Sequence, residues 1–218
     1  ASLAISAEGV DYTTPGEDMI WDFQALGNLG QEVDTFVSVS STPFLYQLVF
    51  VYPLVSNMAK PASDIDFIPG LNIEESYEFY KLTDESFSNR GFATSFNELP
   101  IPLKYDEPDY LFRFPMEYGD IDSSESSFSV GLPGLGFYST ERKRVNHVDS
   151  WGTLETPYGS FETIRVCSHL MIHDSIYIDS ISFGFPINRT ITEYKWMAKE
   201  MGVPVLEISE EGPSLRLV

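Results

Sequence analysis

The sequence predicts an all-β protein: antiparallel strands forming a curved sheet, sandwich or half-barrel, with little helix. Three observations predict it. Breakers are frequent, with 15 Gly and 14 Pro in 218 residues, which favours strands and turns over long helices. Period-two alternation of apolar and polar residues recurs along the chain. The third is the segment 151–166, W-G-T-L-E-T-P-Y-G-S-F-E-T-I-R-V, which reads as a β-hairpin. Pro157 pre-sets φ at the first corner of its turn, and Gly159 supplies the positive φ that closes it. Beyond the turn, Ile164, Val166, Leu170 and Ile172 fall on one face, and Thr163, Arg165, Cys167, His169 and His173 on the other. That is the pattern of an antiparallel strand packed on a core from one side.

In chain order, Leu3, Ile5 and Ala7 alternate with Ser2, Ala4 and Ser6 and predict a first short strand. Acidic turn residues 11–18 lead to Trp21 and Phe23, and Gly27 and Gly30 close that piece. Residues 33–41, rich in Thr, Val and Ser, predict a strand. Residues 44–55 are apolar on both faces and predict a central strand buried on both sides. Residues 58–72 form a Pro, Asp and Gly loop. It offers a subdomain boundary inside what otherwise reads as a single β-rich domain over 1–218.

Strands are expected at 76–83, 111–116 and 126–130, with an acidic turn around 119–125. Residues 137–148 carry the only basic run, Arg142-Lys143-Arg144, and charge in a strand predicts an edge guarded against mispairing. Further strands follow at 177–185, 189–196 and 203–208. Thr192 and Gly202 offer a helix its cap and stop, but Thr190, Thr192, Tyr194 and Trp196 alternate, which favours strand. Leu215 and Leu217 flank Arg216 in a last short strand.

Charge narrows the partners. With 33 acids against 13 bases the net charge is −20, a surface that repels nucleic acid and anionic membranes. The most apolar run, 44–55, is interrupted by Gln47 and Pro53 and is too short to span a bilayer. Cys167 is the sole cysteine, so the chain has neither an intrachain disulfide nor a cysteine zinc site. No signal peptide is present, and the opening A-S-L-A-I-S-A-E is what a mature chain shows after removal of one.

Several segments together resemble a recurring module of secreted Bacteroidota proteins, the cargo of the type IX secretion system. They are W-D-F at 21–23, S-T-P-F and Y-P-L-V-S-N-M-A between 41 and 59, the 151–166 segment, I-T-E-Y-K-W at 191–196 and V-P-V-L-E-I at 203–208. The hairpin is also similar to one in envelope domains built on a half-barrel antiparallel sheet. The resemblance implies an exported protein, surface-attached or released, and carries no active-site residues. Such cargo ends in a sorting domain, and nothing after Ile208 resembles one, so a processed mature chain is expected.

No catalytic constellation emerges from the residues. G-x-S-x-G is absent, and the neighbours Ser168 and His169 point to opposite faces of a strand. His169 and His173 share a face but stand about 13 Å apart along an extended strand, beyond what one zinc ion spans. Calcium is the one cofactor for which ligands exist: Asp120, Asp122 and Glu125, with Glu117 and Ser124, gather in one acidic stretch, and Asp64 and Asp66 in another. The stretch lacks the glycine and the spaced final glutamate of an EF-hand loop, so no site is expected there. Tyr77, Phe79, Tyr194 and Trp196 suit either core packing or a sugar- or lipid-binding face.

The expected function is therefore a non-catalytic extracellular structural or interaction protein. It would contact copies of itself or a surface protein through strands or sheet edges. Leu3, Ile5, Leu215 and Leu217, together with the 44–55 strand, are the assembly candidates. A glycan- or lipid-binding module on a curved sheet is the alternative, and a secreted hydrolase the second.

Overall fold

A computed structural model describes the chain except residues 1, 4–9, 28–30, 33–34, 53, 63–72, 97–98, 133–135, 180–181, 212–213 and 218. Strand makes up 69% of it and helix 6%, arranged as a curled half-barrel sheet and a second antiparallel sheet. The fold is all-β, as the breakers and alternation predict.

The strands in order are β1 (Ser2–Leu3), β2 (Gly16–Asp22), β3 (Gln31–Glu32), β4 (Met58–Pro61), β5 (Ile73–Leu82), β6 (Ser86–Phe96) and β7 (Leu99–Arg113). There follow β8 (Ile121–Leu132), β9 (Gly136–Thr156), β10 (Gly159–Ile178), β11 (Phe183–Ala198), β12 (Leu206–Glu211) and β13 (Ser214–Leu217). One helix, α1 (Phe44–Phe50), precedes β4. The large sheet runs β13-β12-β11-β10-β9, and the far side of β9 is shared by β8 and β2. β8 pairs antiparallel along the first half of β9, and β2 pairs parallel along the second. The smaller sheet runs β4-β5-β6-β7.

The hairpin read at 151–166 joins β9 to β10, with Thr156 opposite Gly159 across Pro157 and Tyr158. Gly159 has φ 144°, the positive value its turn requires. Gly152 has a different task. At φ 154°, any Cβ there would sit 2.0 Å from the Met19 carbonyl oxygen, so glycine is what lets β2 lie against β9.

Three residues before Gly152 the ladder slips. Arg165 faces Ser150 while Val166 faces Val148, so Asp149 is the extra residue of a β-bulge. Its carboxylate grips Arg165 in a bidentate pair, Nε to Oδ1 at 2.9 Å and Nη2 to Oδ2 at 2.8 Å. Arg165 is fully buried and donates onward to the carbonyls of Tyr12 and Thr13. It thereby ties the segment before β2 onto one face of the large sheet. Trp21, Phe23, Leu154, Trp196, Leu206 and Ile208 complete that cluster, with Trp21 and Phe23 both edge-on to Trp196.

The other face of the large sheet meets the small sheet. Phe128, Val130 and Tyr138 pack against Phe92, Ile101, Leu103 and Tyr105, and Val148 and Val166 against Phe87, Leu111 and Phe112.

Several expectations are corrected. Residues 44–55 are not a central strand. They are α1 and the turn after it, because an apolar run this short has the same appearance in either conformation. The deciding contacts are at helical spacing: Tyr46 and Phe50 bury onto Ala59, Phe79 and Ala93 of the small sheet. Residues 33–41 are not a strand either, since beyond 33–34, which lie outside the described residues, they give one bridge, Val37 to Ala59, and a 3-10 turn capped by Ser38. Part of the 58–72 loop is strand β4, and 63–72 lie outside the described residues. The basic run is no edge: it lies in β9, paired on both sides by β8 and β10. Residues 177–185 are not one strand: 177–178 end β10, 183–185 begin β11, and 180–181 lie outside the described residues. The acidic turn ends at Asp120, and 121–125 already belong to β8.

Candidate functional site

Strand β9 places Arg142 and Arg144 on the face turned toward the small sheet, and Lys143 on the opposite face, because side chains alternate. Both arginines meet acids there. Arg144 Nε lies 2.7 Å from Asp109 Oδ1, and its Nη1 2.7 Å from Glu193 Oε2. Lys195 Nζ shares the same Glu193 oxygen at 2.5 Å. Arg142 Nη1 donates to the Tyr105 hydroxyl at 2.7 Å and stands 3.8 Å from Asp109.

Burial alone would raise the Glu193 carboxyl, but Lys195 and Arg144 outweigh it and hold it at about 2. Burial disfavours the Arg142 and Arg144 guanidiniums, but Tyr105 and then Asp109 raise Arg142, and Asp109 and Glu193 raise Arg144, above the ordinary arginine value. Every charge in this cluster is matched, so its chemistry is cohesion: it ties β7, β9 and β11 together across the interior.

Beside it, Ser168 Oγ donates to Asn146 Oδ1 at 2.7 Å, and Asn146 Nδ2 donates to Asp122 Oδ1 at 3.1 Å. Asp122 lies at a cleft of about 200 Å³ whose walls include Leu111, Phe112, Met116, Val148 and Val166. Burial raises its carboxyl, opposed by Asn146 and Arg113.

The calcium candidates do not converge. Asp122 turns inward to Asn146, Glu125 faces outward to Lys143 Nζ at 2.8 Å, and Asp120 accepts from the Glu117 amide. The cause is that β8 begins at Ile121 and sends alternate residues to opposite faces. No group of three or more His, Cys, Asp or Glu able to hold a metal is found among the described residues. Asp64 and Asp66 lie outside them. Ser168 is buried inward and His169 is exposed on the other face, as alternation requires. Cys167 is buried, and burial followed by Asp149 pushes its thiol up to about 11, the opposite of an activated nucleophile.

Of the assembly candidates, Leu3 lies in β1, which pairs with β3 in a ribbon separate from the large sheet. Ile5 lies outside the described residues. Leu215 and Leu217 lie on β13, the last strand of the large sheet, opposite Glu210 and Ile208.

The remaining assembly candidate, the 44–55 run, presents the outer face of α1 and of the turn after it, an exposed surface that its reading as a strand buried on both sides missed. Phe44 is 67% exposed, Leu48 45%, Tyr52 66% and Leu54 76%, and Leu45 joins them. A helix apolar on all sides is normally buried on all sides. This one is buried on one side only. Its backing is firm: Phe50 stacks on Phe79 at 3.8 Å between centroids and 2° between planes. Gln47 Nε2 donates to the carbonyls of Ser40 and Thr42, locking the helix to the turn before it. Leu54 holds φ 62°, a conformation that costs a Cβ-bearing residue about 1–2 kcal/mol. Its carbonyl accepts from Lys81 Nζ at 2.8 Å. The signal was present in the chain as an absence of charge: 35–59 contains no Asp, Glu, Lys or Arg, although these make up 21% of the sequence.

No family model, curated protein or solved structure matches this chain. Among the described residues no helix is long and apolar enough to cross a membrane.

Proposed function

We propose that this chain is a non-catalytic interaction protein, acting outside the cell, that docks a macromolecular partner on the outer face of α1. One observation carries the reading. A contiguous apolar stripe stands in solvent on a rigid β scaffold, and exposed apolar patches of this kind mark interaction sites. The strained Leu54 adds to it, because Gly or Asn would take that backbone more cheaply. A leucine kept there contributes its side chain. The extracellular setting rests on the resemblance of the motifs at 21–23, 41–59, 151–166, 191–196 and 203–208 to exported cargo. The glycan- or lipid-binding alternative has less support, since one face of the large sheet carries the ion cluster and the small sheet and the other carries the cluster around Trp21 and Trp196.

Hydroxyl-radical footprinting tests this reading. In native material, oxidation of Phe44 and Tyr52 should fall relative to the dilute purified chain, while Tyr158 in the hairpin turn stays equally reactive. Equal oxidation of all three in both samples overturns it.

A further inference from the structure

We infer that the occupant of the α1 face is a second copy of this chain, in a two-fold contact of α1 against α1. The inference rests on the docking reading above and names its partner. Charge selects the partner. Two copies each carrying −20 repel over most of their surface, and the approach that meets least repulsion is through the stretch free of charge. That stretch, 35–59, also holds the exposed Phe44, Leu45, Leu48, Tyr52 and Leu54. A basic partner would be met by a ring of acids around the apolar centre; α1 and its flanking turns supply none, and the neighbouring strand β5 brings one charge of each sign, Glu75 near Tyr46 and Lys81 on the Leu54 carbonyl. A lipid surface is met by helices with Lys or Arg on the polar face, and α1 has neither.

The shape suits a copy as well. Phe44 and Leu48 stand one turn apart on α1, about 6 Å along its axis, and Tyr52 extends the ridge from the turn just past the helix end. Leu45 borders it, so the ridge of one copy can pack into the groove beside the ridge of the other. A two-fold contact needs a patch complementary to itself, and an uncharged apolar ridge satisfies that without paired opposite charges. Ser38, Ser40 and Ser41 stand exposed on the preceding turn and give the patch a polar, uncharged rim. The face is also preorganised by Phe79, Gln47 and Lys81, which lowers the entropy lost on association.

Sedimentation equilibrium of the purified full chain, from micromolar to millimolar concentration and at low and high NaCl, tests the inference. The expected result is a monomer–dimer equilibrium that strengthens as salt screens the repulsion between copies. Leu48→Glu and Tyr52→Glu should each weaken it by about tenfold or more, and Tyr158→Glu should leave it unchanged. All three positions are exposed, so unchanged melting temperatures confirm that the variants fold. A chain that stays monomeric at millimolar concentration in high salt overturns the inference, as does a dimer indifferent to Leu48→Glu. A dimer that salt weakens also overturns it, because its contact would then be ionic. Flotation of the monomer with phosphatidylcholine vesicles would assign the face to lipid instead. Monomeric purified chain with a protected α1 face in native material would leave the docking reading standing and remove only its occupant.

Discussion

The interior beneath the curled sheet and the outer face of α1 invert the usual arrangement of a folded chain. The interior holds Arg142, Arg144, Lys195, Asp109 and Glu193 in contact, while α1 and the turn after it leave Phe44, Leu48 and Tyr52 in solvent. Both are local departures from burial of apolar groups, and they have different causes. Inside, charge is tolerated because each cation meets an anion, and losing one partner leaves another stranded. Outside, no internal contact explains the apolar stripe, so its reason lies in what covers it. The contrast separates residues that hold the fold from residues that use it, and substitutions should divide along the same line.

The largest effect is expected at the centre of the cluster. Arg144→Met removes the cation shared by Asp109 and Glu193 and should cost about 3–5 kcal/mol of folding stability, measured by urea denaturation. Leu48→Glu should stay within about 0.5 kcal/mol of the parent, as exposed substitutions do. If the two variants unfold at similar urea concentrations, the division between holding and using the fold is wrong.

Acid should act on the same cluster with a smaller effect. The Glu193 carboxyl is lowered from 4.5 to about 2 in the folded chain, so its stabilisation is complete above its unfolded value near 4.5. That stabilisation is lost as pH falls through about 2, because protons then bind the unfolded chain first. Across that window the loss is on the order of 2–3 kcal/mol. Comparison with Glu193→Gln isolates it: the stability gap between parent and variant should close between pH 5 and pH 2. A gap constant over that range would mean that Glu193 does not titrate in this way.

The fold was legible where local chemistry is decisive. Pro157 and Gly159 name a turn whatever surrounds them, and the alternation after Thr163 names a strand. The interior cluster was not legible, because Arg142-Lys143-Arg144 looks the same in an edge strand as in a central one. What distinguishes them is Asp109 and Glu193, far away in the sequence and brought near only by sheet order. Asp120, Asp122 and Glu125 were misread as one stretch for a related reason. The turn ends at Asp120, five residues before the run of acids does, and strand geometry then sends Asp122 and Glu125 to different faces. Helix α1 was hidden because seven mostly apolar residues carry no period that tells helix from strand. The missing charge over 35–59 was the surviving clue, and it spoke to surface chemistry rather than conformation.

The smallest predicted effect has the opposite sign. Leu54 occupies a left-handed conformation at φ 62° and is mostly exposed, so little internal packing offsets its strain. Asparagine tolerates that backbone better than leucine, and it avoids the extra chain entropy that glycine brings. Leu54→Asn should therefore raise the stability of the dilute chain by up to about 1 kcal/mol, read as a small rise in melting temperature. The same substitution removes an apolar side chain from the edge of the α1 ridge and should weaken self-association. A variant that is more stable alone and less able to associate is the signature of strain kept for a contact. A fall in stability would show instead that Leu54 packs within its own chain and belongs with the residues that hold the fold.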